Sequence, residues 1–212
     1  MNRDILQVYF ICGTADCPHG NILDVIEEAL RAGVTCFQFR EKGKNALVGQ
    51  EKIKLARQIQ RLCEVYKIPL LINDDVALAL EIGADGVHLG QDDMSVEEAR
   101  LLFPKKIIGL SISSITEFEQ SAIDLVDYIG VGPIFPTQSK DDANDAVGNS
   151  LTESIRKRDS QLPIVSIGGI TAQDVKPIIT SGADGVAVIS AISRSEDIEV
   201  SVKAFTEEFN SL

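Results

Sequence analysis

Basic side chains are in short supply. The 212-residue chain carries 20 Lys and Arg against 32 Asp and Glu, a formal charge of −12. Nucleic acids and anionic membranes need a basic face that displaces their counterions, so this balance argues against both as partners. Any anionic small molecule has to be held by local positive groups. Long apolar runs are also missing. None approaches the roughly 18 to 20 residues of a membrane-spanning helix, and the opening MNRDILQVYF enters a strand pattern without the segments of a secretory signal. A cytosolic protein is expected. The four cysteines, Cys12, Cys17, Cys36 and Cys63, lack Cys-x-x-Cys spacing, and the reading is small buried hydrophobes with no disulfide and no zinc. No Pro/Ser-rich linker or low-complexity tract divides the chain. With 44% apolar and 25% charged residues, one domain over residues 1–212 is expected, and a homo-oligomer is left open.

What is present is alternation. Short apolar runs (VYFIC, CFQFR, PLLIN, GVHLG, IIGLSI, YIGVGPI, PIVSIGG, GVAVIS) are each followed by a helical pattern, giving eight strand–helix units. Strands apolar almost throughout are those covered on both faces, which implies a parallel sheet. Eight units in 212 residues fit a single α/β (β/α)8 TIM barrel better than a doubly wound sheet. RAGVTCFQF, EIGADGVHL and TSGADGVAV repeat one junction, placing Gly33, Gly83 and Gly182 where a helix ends in a left-handed cap.

Barrel chemistry sits at the carboxyl ends of the strands. In CFQFREKG the period of two puts Gln38, Arg40 and Lys42 on one face and Phe37, Phe39 and Glu41 on the other. With the aromatic pair packed outward, one amide and two cations point to the barrel mouth. The alternative is that Arg40 and Lys42 only pair with rim carboxylates. The third strand closes as PLLINDD, where Asp75 is placed to cap the next helix, leaving Asn73 and Asp74. The fourth closes as GVHLGQDD, with Asp92 and Asp93 ahead of a helix capped by Ser95. Carboxylates on adjacent strand ends make a hard-oxygen site of the kind Mg²⁺ uses when substrate phosphates and waters complete its shell. His88, inside the fourth strand, reads as a packed, hydrogen-bonded residue more than as a base; His19 reads as a turn residue.

The last strands close as IGGIT and VISAIS. Gly168 and Gly169 permit close backbone approach, and neighbouring amides can hold an anion; the alternative is a tight turn only. After the sixth strand comes TQSKDDANDAVGNS, a long, irregular and acidic βα connection, and long loops of this kind are often functional. Thr137 and Ser139 offer hydroxyls to one phosphate, and Lys140 offers a point charge to a second anion nearer Arg40 and Lys42.

In order and spacing, QFREK, INDD, GVHLGQDD, GLS, GVGPIFPTQSK, SIGGI and GVAVIS resemble the thiamine-phosphate synthase family, from about residue 8 to residue 193. The resemblance implies a transferase joining 4-amino-5-hydroxymethyl-2-methylpyrimidine diphosphate to 4-methyl-5-(2-phosphoethyl)thiazole, or its carboxylated form, with release of diphosphate. It implies that Asp74 and Asp93 bind one Mg²⁺ per subunit, and that Gln38, Arg40, Lys42, Asn73, Ser111 and Lys140 serve the pyrimidine diphosphate. Arg40, Lys42, Ser111 and Lys140 are the catalytic set. Thr137, Ser139, Gly169, Ile189 and Ser190 would hold the thiazole phosphate, and Phe39, Glu41 and Gln138 complete the substrate-binding stretches. Ser139 stands where the family often has threonine, and Asp92-Asp93 where it commonly has Glu-Asp. A related thiazole tautomerase, a non-catalytic phosphometabolite-binding barrel or a phosphosugar isomerase would not need QFREK, NDD and TQSK together.

Overall fold

The structure, a computed structural model, describes residues 2–18, 20–43, 45–137 and 145–212. Eight strands close a barrel in sequence order: β1 (Val8–Cys12), β2 (Cys36–Phe39), β3 (Leu70–Asn73), β4 (Gly86–Leu89), β5 (Ile107–Ile112), β6 (Tyr128–Val131), β7 (Ile164–Ile167) and β8 (Gly185–Val188). Every pairing is parallel, including β1 with β8. The barrel expected from the alternation is therefore the fold. Outside the strands lie α1 (Ile22–Ala32), α2 (Gly49–Tyr66), α3 (Val76–Ile82), α4 (Val96–Leu102), α5 (Ile115–Gln120), α6 (Gly148–Arg158), α7 (Val175–Thr180), α8 (Ser190–Ser193) and α9 (Ile198–Asn210).

Strand alternation splits the core in two. Val8, Phe10, Phe37 and Phe39 face outward into the layer shared with the helices, and Phe10 meets Phe37 edge to face at 5.5 Å. Tyr9, Ile11, Cys36, Leu71, Tyr128, Val165 and Ala187 fill the barrel interior. The helices start and stop where the sequence signals them. Asn21 accepts from the Leu23 amide at the head of α1, Asp75 from Leu78 at the head of α3 and Ser95 from Glu98 at the head of α4. The repeated junction glycines have φ of 118° at Gly33, 70° at Gly83 and 105° at Gly182.

Two segments depart from the pattern. ITEFEQSAIDL reads as one helix, but α5 stops at Gln120 and a 3₁₀ turn takes over at Ile123–Leu125. Ser121 stands at the break: its hydroxyl donates to the Glu117 carbonyl at 2.7 Å, a bond that competes with a continued helix, and Gln91 Oε1 lies 3.4 Å away. VISAIS does not run on as strand, because the chain turns at Ile189 (φ −114°, ψ −84°) into α8. Among the described residues no helix is long and apolar enough to cross a membrane.

Candidate active site

A cavity of about 670 Å³ opens at the carboxyl ends of the strands. Its wall brings together residues far apart in sequence: Lys42 after β2, Asp93 after β4, Ser111 on β5, Thr137 after β6, Gly169 after β7, and Ile189 with Ser190 after β8. These are seven of the positions expected to bind substrate or metal.

The acidic corner is the most constrained part. Asp74 follows β3 in the left-handed region at φ 57°, a conformation that a non-glycine residue holds only when its surroundings demand it. Its amide donates to the His88 carbonyl at 2.9 Å, tying the β3 exit to β4. This turns its carboxylate onto that of Asp93, within hydrogen-bonding reach, and onto the ammonium of Lys42. Burial and the neighbouring Asp93 push the Asp74 carboxyl above its ordinary range, against the opposing pull of Lys42. Asp93 is held in turn by the Gly90 amide at 2.7 Å. Asp75 takes no part. It caps α3, as the sequence signals, and pairs with Lys52 at 2.7 Å. Among the described residues no group of three or more His, Cys, Asp or Glu side chains gathers around a single metal position.

Gln38 on β2 is buried with its amide inside the barrel, on the Tyr9 hydroxyl, Arg40 just beyond β2 is buried, and Phe39 packs outward among the helices. The Glu41 carboxylate is consumed by the preceding loop, accepting from the Thr14 amide at 2.9 Å, the Thr14 hydroxyl at 2.5 Å and the Leu47 amide at 2.8 Å. Neither Phe39 nor Glu41 lines the cavity; Glu41 braces the segment that carries Arg40 and Lys42. Asn73 ends β3 in register with His88. Gln138, Ser139 and Lys140 lie outside the described residues, as do His19 and residues 141–144 of the acidic loop.

The loops after β6 and β7 meet through their main chain. Gly168 and Gly169 have φ of 104° and 65°, and a Cβ on Gly169 would sit 2.7 Å from the Pro136 carbonyl oxygen. The loops after β6 and β7 pack that closely, with Phe135 N donating to Gly168 O at 3.0 Å and Ile134 N to Ile167 O at 2.8 Å. The glycines therefore serve a tight turn against the neighbouring loop.

Sequence reasoning passed over Gln91, whose amide donates to the Ser111 carbonyl at 2.7 Å, and Glu117, which takes the Ser113 amide and hydroxyl at 2.6 Å each. Both line the cavity. Gln91 sits inside the GQDD motif, so its position was the available signal.

A parallel (β/α)8 barrel with a lysine, carboxylates and glycine loops converging on one cavity at its strand ends defines an enzyme of small, anionic molecules. The family model described as Thiamine monophosphate synthase matches residues 8–192, and the chain belongs to that family of transferases. A thiamine-phosphate synthase of Streptococcus suis (strain 98HAH33) is 61% identical over 197 residues, covering 93% of this chain and 86% of that protein. Thiamine-phosphate synthase 1 of Streptococcus pneumoniae (strain ATCC BAA-255 / R6) is 53% identical over 207 residues, covering 98% and 99%. Among solved structures, a thiamine phosphate pyrophosphorylase from Pyrococcus furiosus superposes with a TM-score of 0.86 at 29% identity, covering 99% of this chain and 98% of that one.

Proposed function

We propose that this chain joins 4-amino-5-hydroxymethyl-2-methylpyrimidine diphosphate to 4-methyl-5-(2-phosphoethyl)thiazole, or to its carboxylated form with loss of carbon dioxide, releasing diphosphate and thiamine phosphate. The observation that carries the reading is the meeting of Asp74 with Asp93 and Lys42, the latter two lining a cavity that Gly168 and Gly169 also line. That is an arrangement for two anions held by different means.

The donor set fits a hard divalent cation. Two aspartates brought into contact, with burial raising one of them, repel unless a positive charge stands between them. Mg²⁺ accepts one or two carboxylates and leaves its other positions to substrate phosphates and waters. Asp74 and Asp93 would hold it, and when bound it neutralises charge on the departing diphosphate. Arg40, Lys42 and Lys140 add fixed positive charge to the same group. Gln38, Asn73 and Ser111 orient the pyrimidine, and Phe39 and Glu41 brace the segment behind it.

The carbon–oxygen bond to the diphosphate breaks first, giving a pyrimidine-methyl cation stabilised by the ring amino group, and the thiazole nitrogen then adds to that carbon. No side-chain nucleophile is needed, so the residues act by electrostatic stabilisation and alignment. Thr137, Gln138, Ser139, Gly169, Ile189 and Ser190 hold the thiazole phosphate so that its nitrogen faces the cation. The reading places the protein in the cytosol. Purified protein mixed with both substrates, with and without Mg²⁺, tests it: thiamine phosphate and diphosphate should appear in equal amounts and only with the metal. Failure to form thiamine phosphate under any metal condition would overturn the reading.

A further inference from the structure

Beneath the cavity the barrel interior is not wholly apolar. Gln38 Nε2 donates to the Tyr9 hydroxyl at 2.6 Å, and that hydroxyl lies 2.8 Å from the hydroxyl of Tyr128. Tyr128 lies 2.8 Å from His88 Nδ1, and His88 Nε2 lies 2.9 Å from Ser111 Oγ. One chain of hydrogen bonds thus runs from β2 through β1, β6 and β4 to β5. Tyr9, Gln38 and Tyr128 are no more than 1% exposed, and His88 is 8% exposed. Space is cleared for it: a Cβ on Gly109 would collide with the Tyr128 hydroxyl and stand 2.5 Å from His88 Nδ1, and one on Gly130 would stand 3.1 Å from His88 Cε1. Burial holds both phenols above their ordinary range, so both keep their protons.

The heavy-atom distances allow two directions, one for each donor at the Tyr9–Tyr128 contact. Tyr9 accepts from the Gln38 amide, and its own proton has two acceptors within reach, the Tyr128 oxygen and the Cys36 sulfur; oxygen is the stronger acceptor, and with the proton placed there the rest is fixed. Tyr128 then spends its single proton on His88 Nδ1. The imidazole proton is left on Nε2, where it points at Ser111. Ser111 Oγ accepts it, and the serine's own proton is turned away from His88, toward the cavity that Ser111 lines.

We propose that His88, set by Tyr128 and Tyr9, is a positioning residue that fixes the Ser111 hydroxyl as a hydrogen-bond donor to an acceptor atom of the pyrimidine diphosphate. The placement of that substrate beside Ser111 rests on the function proposed above. His88 itself touches no reacting atom. Its contribution is to remove the choice a serine hydroxyl otherwise has between donating and accepting.

The test begins with the unmutated protein. Nitrogen-15 NMR of the histidine rings, with His19→Gln to assign the two, should find the His88 proton on Nε2; a proton on Nδ1 reverses the chain and overturns the proposal. In kinetics, Tyr128→Phe should lower kcat/KM for the pyrimidine diphosphate about tenfold, the loss of one buried hydrogen bond, with KM for the thiazole phosphate unchanged and the His88 tautomer no longer single. Tyr9→Phe, which leaves the Tyr128 donor in place, should lose less. In a Ser111→Ala background, Tyr128→Phe should add nothing further. Additive losses, or an unaltered kcat/KM in folded Tyr128→Phe, would overturn the proposal. If the unmutated chain forms no thiamine phosphate, the functional reading fails while the tautomer measurement still stands.

Discussion

The carboxyl groups of Asp74 and Asp93 meet within hydrogen-bonding reach across the exits of β3 and β4, with the Lys42 ammonium on Asp74. Contact between two acidic side chains gains nothing for a folded protein by itself, and Asp74 accepts a left-handed backbone to reach it. On the proposed function, the contact is where the metal would be held. Asp93→Ala should cut Mg²⁺-dependent turnover by about a hundredfold or more, the scale of several kcal/mol of lost charge stabilisation, while circular dichroism shows an intact barrel. Full activity in that variant would remove the metal assignment.

Asp75, one residue along, makes the opposite prediction. It gives one oxygen to the Leu78 amide and the other to Lys52. Asp75→Ala should cost about 1 kcal/mol, as for a lost N-cap, lowering the melting temperature by roughly 2–4 °C in a domain of this size. Steady-state kinetics should stay within twofold of the parent. A large loss of turnover with unchanged stability would move the catalytic role from Asp74 to its neighbour.

For Lys140 the expected outcome separates the two anions. Lys140→Ala should lower turnover far more than it weakens binding of the thiazole phosphate, because the charge is spent on the departing diphosphate. Calorimetric titration of the thiazole phosphate into the variant checks this. A selective loss of that binding would reassign the lysine to the other anion.

The barrel and its rim were readable because each depends on local pattern. Strands covered on both faces show as unbroken apolar runs, and the period of two in CFQF separates Gln38 from Phe37 and Phe39. The Tyr9–Tyr128–His88 chain was not readable, although His88 was correctly taken as packed and hydrogen-bonded. Tyr9 and Tyr128 each look like one more apolar strand residue. Which inward side chains of β1, β4 and β6 meet depends on barrel closure and stagger, visible only once His88 is seen level with Gly109 and Gly109 with Tyr128.

Cys12 and Cys17 show the same limit. Five residues apart, they carry no pairing signature, yet the 3₁₀ turn at Thr14–Asp16 folds back and brings their sulfurs to 3.3 Å. Both are free and buried. The hydrogen bond between them pushes the Cys12 thiol up and the Cys17 thiol down, whereas burial raises Cys36 well above its ordinary value and Cys63 to about 12. Thiolate is the reactive form, and Cys17 is also the most exposed of the four at 8%. Limited alkylation by iodoacetamide near neutral pH should label Cys17 first, and Cys12→Ala, which removes the bond that favours the thiolate, should slow it. Peptide mass mapping reads both, and equal labelling of all four would contradict the assignment.

Gly169 allows the main-chain side of the cavity to be tested against simple backbone strain. A Cβ there would stand 2.7 Å from the Pro136 carbonyl oxygen and 2.9 Å from Phe135 Cβ, at φ 65°. Gly83 has a comparable φ of 70° with nothing within 4 Å of its Cβ position, and it ends α3. Gly83→Ala carries the left-handed strain alone, roughly 1 kcal/mol, and should leave the kinetics untouched. Gly169→Ala must also part the loops after β6 and β7, for a total of about 2–3 kcal/mol. If those loops hold the thiazole phosphate through their amides, Gly169→Ala should raise KM for that substrate about tenfold or more and leave KM for the pyrimidine diphosphate nearly unchanged. Equal rises for both substrates would show a general disturbance of the cavity and count against the division into two anion sites.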